Sequence, residues 1–189
     1  MPMEISKAKQ ALRKDMACLK KSYTKTQLQD WSEQIRSRLE ELPLFQAARC
    51  IALYHALPGE VQTAPWLERW RAMGKRLALP LVAGDDLLLL PYDGPASLVP
   101  GAFGIMEPVL VSGARSVEDE VDLVIVPGVA FDRQLNRLGR GRGFYDRLLA
   151  TLRVPKIGIC FHFQLFDEIP AESFDRRMDV IVSEREILP

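Results

Sequence analysis

The sequence predicts an α/β protein: a three-layer α/β/α sandwich with a largely parallel, Rossmann-like central sheet. Three observations carry that expectation. Short apolar runs, Arg49-Cys-Ile-Ala-Leu-Tyr54 and Val121-Asp-Leu-Val-Ile-Val126 among them, read as strands. Segments of helical periodicity alternate with them, as in βαβ units. A glycine- and arginine-rich run, Gly139-Arg-Gly-Arg-Gly143, then falls between a buried-looking strand and a helix. Open α/β sheets bind ligands there, outside the carboxyl ends of their strands.

Taken in order, residues 4–22 form a helix with the stripe Ile5, Ala8, Leu12, Met16, Leu19, and residues 25–41 a second with Leu28, Trp31, Ile35, Leu39. Thr24 or Thr26 is the N-cap of the second helix and Pro43 closes it. The strand Arg49–Tyr54 follows, then a Leu-Pro-Gly loop and a helix from Thr63 to Met73 ending at Gly74. Strands Arg76–Val82 and Leu87–Tyr92 flank the turn Gly84-Asp85-Asp86. Residues 93–120 read as loop-rich, with Gly94-Pro95, Pro100-Gly101, Pro108 and Gly113. After them come the strand Val121–Val126, the Gly/Arg run, a helix from Gly143 to Leu152, the strand Lys156–Phe161 and a last strand Val180–Val182.

Bulk properties fit one domain over 1–189. With 189 residues, 48% of them apolar, the chain is long enough for a full core. Lys+Arg and Asp+Glu balance at 25 each, so no global field draws nucleic acid or a membrane surface, and the cationic loop is a local device. Met1-Pro-Met-Glu-Ile-Ser-Lys7 lacks a signal-peptide core. The aliphatic run Leu87–Leu90 falls far short of the roughly 20 residues of a spanning helix. Cys18, Cys50 and Cys160 are few and scattered, as in reducing cytosol. A cytoplasmic monomer, binding neither nucleic acid nor membrane, is expected.

The Gly/Arg run carries the most chemistry. Glycines let backbone N–H groups approach a ligand closely, a helix N-terminus adds partial positive charge, and arginines add forked donors. Between Phe131 and Arg147 stand five arginines and two acids, so most of that charge lacks a local partner. The run reads as a nucleotide-phosphate cradle. A plain glycine turn is the alternative, although such turns carry Asn, Asp or Ser more often than Arg. The run is neither a Walker A loop nor the dinucleotide fingerprint.

Around it stand weaker candidates. Lys9 and Arg13 share one helix face, commonly a solvated one. Asp146 offers an oxygen ligand of the kind magnesium on ATP takes, or equally a first-turn acid complementing the helix dipole. Asp175 and Asp179 are ordinary loop acids unless the tail folds back on the cradle. Glu60 lies beyond the first strand's carboxyl end, and Phe103 could stack on a flat ring or plug the core. His55 and His162 form no zinc signature, and no Gly-x-Ser-x-Gly elbow marks a serine hydrolase.

Asn136-Arg-Leu-Gly-Arg-Gly-Arg-Gly-Phe-Tyr-Asp-Arg147, preceded by Val126-Pro-Gly-Val-Ala-Phe-Asp132, resembles the signature of the 5-formyltetrahydrofolate cyclo-ligase family. Further landmarks keep the family's order: Lys9-x-x-x-Arg13, Tyr54 with Glu60-Val-x-Thr63, Phe103-Gly-Ile-x-Glu-Pro108, Ile157-Gly-Ile with Gln164, and Asp175-x-x-x-Asp179. The likeness spans almost the whole chain. It implies an ATP- and Mg²⁺-dependent ring closure in which 5-formyltetrahydrofolate, polyglutamylated or not, becomes 5,10-methenyltetrahydrofolate, with ADP and phosphate released. The γ-phosphoryl group moves to the formyl oxygen, N10 attacks, and phosphate departs. Such a reaction is mainly positioning and charge neutralisation.

By matching positions, the resemblance implies that Lys9, Arg13 and the segment Arg137-Leu138-Gly139-Arg140-Gly141-Arg142-Gly143-Phe144-Tyr145 bind ATP. Arg137, Arg140 and Arg142 are the implied catalytic arginines. Arg140, Gly141, Arg142, Gly143 and Phe144 also face the folate, which His55, Glu60 and Phe103 contact. Asp146 and Asp175 are the implied magnesium ligands. Arg142 stands where many relatives carry Gly or Lys, and Phe144 where Tyr is common. Two alternatives remain: another ATP-dependent ligase or phosphotransferase on this scaffold, and a nucleotide- or RNA-binding regulator.

Overall fold

The computed structural model describes residues 2–101, 104–110, 115–172 and 174–189. Helix α1 (Pro2–Leu19) passes into one 3-10 turn (Lys20–Ser22), and α2 (Lys25–Glu41) starts two residues later. Thr24 is the α2 N-cap. Its hydroxyl accepts from Gln27 N at 3.2 Å while Gln27 Oε1 accepts from Thr24 N at 3.0 Å, the reciprocal box that fixes a helix start. Pro43, expected only to close α2, instead opens a short helix, α3 (Pro43–Ala47). A proline at the first helical position lacks only an N–H that would have no partner there anyway.

The remaining elements are β1 (Cys50–Ala52), α4 (Ala64–Ala72), β2 (Arg76–Ala83), β3 (Asp86–Pro91), β4 (Leu98–Pro100), β5 (Met106–Pro108), β6 (Leu123–Val126), β7 (Ala130–Asp132), β8 (Arg137–Leu138), α5 (Phe144–Thr151), β9 (Lys156–Ile159), β10 (Leu165–Phe166), β11 (Val180–Val182) and β12 (Ile187–Leu188). The main sheet runs β12-β11-β9-β6-β1-β2-β3. Strands β2, β1, β6, β9 and β11 are mutually parallel, and the edge strands β3 and β12 are antiparallel to their neighbours. The largely parallel sheet is therefore as expected. The chain leaves β1 toward β2 on one side and returns to β6 on the other, so strand order reverses between β1 and β6.

Alternation along the strands splits the core in two. Ile51, Leu53, Leu77, Leu79 and Ile125 face a cluster with Ile35 and Leu39 of α2, Phe45 of α3 and Trp66 and Trp70 of α4. Cys50, Ala52, Ala78, Val124 and Val126 face the other cluster, with Leu148 and Leu149 of α5. Helices thus cover both faces, which is why β6 is buried along its length.

The loop-rich 93–120 region also holds a short hairpin, β4 paired with β5. The Gly/Arg run does not follow β6 directly, because β7 and β8 of a small sheet, β10-β7-β8, intervene. Strands of two or three residues are too short to show a period.

On the α2–α4 side, Glu40 accepts from Arg36 Nη1 at 2.6 Å, Arg69 Nε at 2.9 Å and Trp70 Nε1 at 2.8 Å. Burial by itself would raise its pKa, but the hydrogen bonds from Arg69, Arg36 and Trp70 outweigh it and lower the value from 4.5 to about 2. A depressed carboxylate stabilises the fold above its unfolded pKa and stops doing so as pH falls through the folded one. Unfolding free energy measured by urea titration should therefore drop by about 1–2 kcal/mol between about pH 4.5 and pH 2, and Glu40→Gln should flatten that segment.

Candidate active site

The reversal between β1 and β6 is where an open α/β sheet leaves a crevice, and a cavity of about 480 Å³ lies there. Tyr54 and His55 follow β1, and Pro127 and Gly128 follow β6; all four line it. The loop after β1 is tied to itself. Tyr54 Oη donates to Val61 O at 3.0 Å, Thr63 Oγ1 donates to Tyr54 O at 2.5 Å, and Leu57 N donates to Glu60 Oε2 at 2.9 Å. These bonds account for the Tyr54, Glu60 and Thr63 landmarks. They fix Glu60, buried at 8% exposure, at the cavity wall.

The opposite wall is the Gly/Arg run. Gly141 and Gly143 have φ of +99° and +71°, a region that favours glycine. A Cβ on Gly141 would also press on the Arg13 guanidinium at 3.3 Å. Gly143 is the N-cap of α5 and makes no side-chain cap, which leaves the helix N-terminus to a ligand. Arg13 of α1 donates from Nε to Gly139 O at 2.9 Å, so one predicted phosphate ligand supports the turn of another.

Arg140 and Glu60 meet across the cavity, Nη2 and Nε lying 2.7 and 3.1 Å from Glu60 Oε1. Arg137 is buried, donating from Nη2 to Asp146 Oδ1 at 2.7 Å and from Nη1 to Pro127 O at 3.2 Å. Its Nε is buried without a partner. As the sequence implies, most of this charge has no local partner: three of the five arginines are met by carboxylates from elsewhere in the chain. Arg140 has Glu60, Arg133 has Glu186 and Arg147 has Asp86.

Of the remaining candidates, Phe144, Tyr145, Asp146 and Arg142 line the cavity, and Leu138 is buried just before it. Burial pushes the His55 imidazole below its usual pKa, so the ring is neutral at neutral pH. Lys9 does not line this cavity. Its ammonium binds Glu172 at 2.7 Å and Asp175 at 2.6 Å, so the tail folds back onto α1. Burial opposes the Lys9 charge, yet the two carboxylates more than compensate and raise its pKa. Phe103 lies outside the described residues.

Asp146 and Asp175 are thus each engaged by a cation. Among the described residues no group of three or more His, Cys, Asp or Glu side chains gathers to hold a metal. A magnesium ion carried on a triphosphate needs fewer protein carboxylates than that.

Two further residues at the site were not among the sequence candidates. Lys20, in the turn after α1, stands near Glu60 and Arg140 in the field of both. Gln164 donates to Gly128 O and Val129 O, each at 3.0 Å, and accepts from Phe161 N at 3.0 Å. It fastens the segment leading to the cradle onto the end of β9. Gln164 was visible only as a landmark of the resemblance.

The chain is 32% identical over 171 residues to the 5-formyltetrahydrofolate cyclo-ligase of Escherichia coli K12, covering 87% of this chain and 93% of that one. The solution structure of Aquifex aeolicus 5,10-methenyltetrahydrofolate synthetase superposes with a TM-score of 0.85 at 39% identity, over 95% of this chain and 91% of that one. The Mycoplasma pneumoniae 5,10-methenyltetrahydrofolate synthetase shares the fold, with a TM-score of 0.72 at 24% identity over 93% of this chain and 98% of that one. The sequence profile of one enzyme family matches residues 5–184, a span that takes in both walls of the cavity, and by it the chain belongs to the 5-formyltetrahydrofolate cyclo-ligase family.

Proposed function

We propose that the protein converts 5-formyltetrahydrofolate to 5,10-methenyltetrahydrofolate, consuming ATP with magnesium and releasing ADP and phosphate. The observation that carries this reading is one cavity with a glycine–arginine anion cradle on one wall and the buried Glu60 carboxylate on the other. ATP supplies the activation, since phosphorylating the formyl oxygen turns it into a group that N10 can displace.

The chain's own residues do the rest by position. Arg140, Arg142 and the N–H groups of the Gly139–Gly143 turn neutralise charge on the transferring group. Arg137, held between Asp146 and Pro127 O, keeps the cradle and the α5 start in register. Glu60 accepts from the amino and ring N–H groups of the pterin once Arg140 turns to phosphate. His55, being neutral, adds a hydrogen bond without a second charge. Asp146 and Asp175, now paired with Arg137 and Lys9, would hold a magnesium ion that neutralises phosphate charge, Lys9 would bind phosphate, and Phe103 is assigned to the folate. No covalent enzyme intermediate is required, because the substrate's skeleton already keeps N10 beside the formyl carbon. We place the enzyme in the cytoplasm as a monomer. Three free cysteines and the lack of any helix long and apolar enough to cross a membrane, among the described residues, accord with that placement.

The test is the growth of methenyltetrahydrofolate absorbance when protein, MgATP and 5-formyltetrahydrofolate are mixed. ATP consumption with no such absorbance would indicate another ATP-dependent ligase or phosphotransferase. Glu60→Gln should raise KM for the folate about 10- to 100-fold, since a buried hydrogen bond to a charged group is lost, with KM for ATP nearly unchanged. An effect confined to ATP would refute the role given to Glu60.

A further inference from the structure

The hairpin β4–β5 brings a further carboxylate to the cavity. Glu107 of β5, in register with Val99 of β4, is 5% exposed and lines the same space as Glu60 and the Gly/Arg run. The other carboxylates of the cavity are committed: Glu60 accepts from Arg140 and Leu57 N, and Asp146 accepts from Arg137. Among the described residues no hydrogen bond or ion pair reaches Glu107. A carboxylate buried without a partner costs stability, and native structures keep few of them. A ligand in the cavity would complete this one.

The chain makes room for it. Gly101 N donates to Ile105 O at 2.8 Å and closes the hairpin. Its φ lies outside the left-handed region, so the backbone there does not demand glycine. The space does, because a Cβ on Gly101 would run into Cγ, Cδ and Oε2 of Glu107.

Ring closure needs a proton acceptor. N10 carries a hydrogen in 5-formyltetrahydrofolate and none in the methenyl product. As its lone pair forms the bond to the formyl carbon, N10 becomes positive. The C–O bond breaks with its electron pair leaving on phosphate, the N10 proton passes to a base, and an N5–C–N10 amidinium cation remains. A carboxylate suits both moments, since it faces positive charge as that charge develops and becomes neutral on taking the proton. His55, the neutral imidazole of the same cavity, would instead become a second cation beside the amidinium, which like-charge repulsion disfavours.

We infer that Glu107 is a further catalytic residue, the general base that takes the N10 proton during ring closure. Glu60 keeps the pterin N–H groups and the Gly/Arg wall keeps the phosphate. The inference rests on the folate reading given above.

The test follows ADP by rapid quench and methenyltetrahydrofolate by absorbance, in the unaltered protein and in Glu107→Gln. Glutamine keeps the shape and removes a buried charge, so the thermal midpoint should hold or rise. The rate of methenyl formation should fall about 100- to 1000-fold, the usual worth of a general base, with KM for the folate little changed. ADP should still form in the first turnover at close to its normal rate, because phosphoryl transfer precedes proton removal. An unchanged kcat, a raised folate KM alone, or ADP and methenyl slowed together would overturn the assignment. So would a fallen midpoint that accounts for the loss, or the same lag between ADP and methenyl in His55→Gln with none in Glu107→Gln. Should the unaltered protein make no methenyl product, the proposed function fails and this assignment falls with it.

Discussion

Arg140→Ala should lower kcat about 100- to 1000-fold, the usual effect of removing a preorganised donor that faces developing charge. Its side chain is 56% exposed, so it adds little to the core, and unfolding free energy should change by no more than about 0.5 kcal/mol. Glu60 is not stranded in the variant, because Leu57 N still donates to it and Lys20 stays close. The two measurements needed are steady-state turnover of 5-formyltetrahydrofolate with MgATP and urea unfolding of the same preparation. Turnover that survives the substitution would remove Arg140 from the reaction. Lost turnover with an equal loss of stability would make it a structural residue.

Asp132→Ala should lower unfolding free energy by about 3–5 kcal/mol, because several buried donors lose one acceptor together. Asp132 is fully buried at the end of β7. Its Oδ1 accepts from Gln134 N at 3.0 Å and Asn136 N at 2.9 Å, and its Oδ2 from Asn136 Nδ2 at 2.9 Å and Ile169 N at 3.1 Å. One side chain thus closes the β7–β8 turn and anchors the tail segment at Ile169. Asp132→Asn keeps the shape yet should still cost about 2 kcal/mol, since its amide nitrogen would face donors. Denaturant midpoints of both variants measure this, and a neutral Asn variant would mean that water replaces the lost acceptor.

The parts of the fold legible in the sequence were those with a long enough period. The stripes of α1 and α2 and the apolar run of β6 announce themselves, whereas β8, β10 and β12 are two residues each and carry no pattern. Pro43 was ambiguous because the same residue ends one helix and begins another. At the site, Gly141 and Gly143 were readable because their backbone angles demand glycine, and the arginines because their density is unusual. Their partners were not. Glu60 and Arg140 are 80 residues apart, Glu186 and Arg133 are 53 apart, and only the sheet order brings them together.

Because Arg140 already holds a carboxylate across the mouth of the cavity, a stray phosphate or sulfate gains little by entering. Displacing Glu60 gives Arg140 new oxygens but costs the carboxylate its closest cation, leaving it to Leu57 N and Lys20. Only a visitor that brings oxygens for the arginine along with N–H groups for the glutamate leaves neither wanting. The Arg140–Glu60 pair thus selects for ligands that carry both kinds of group.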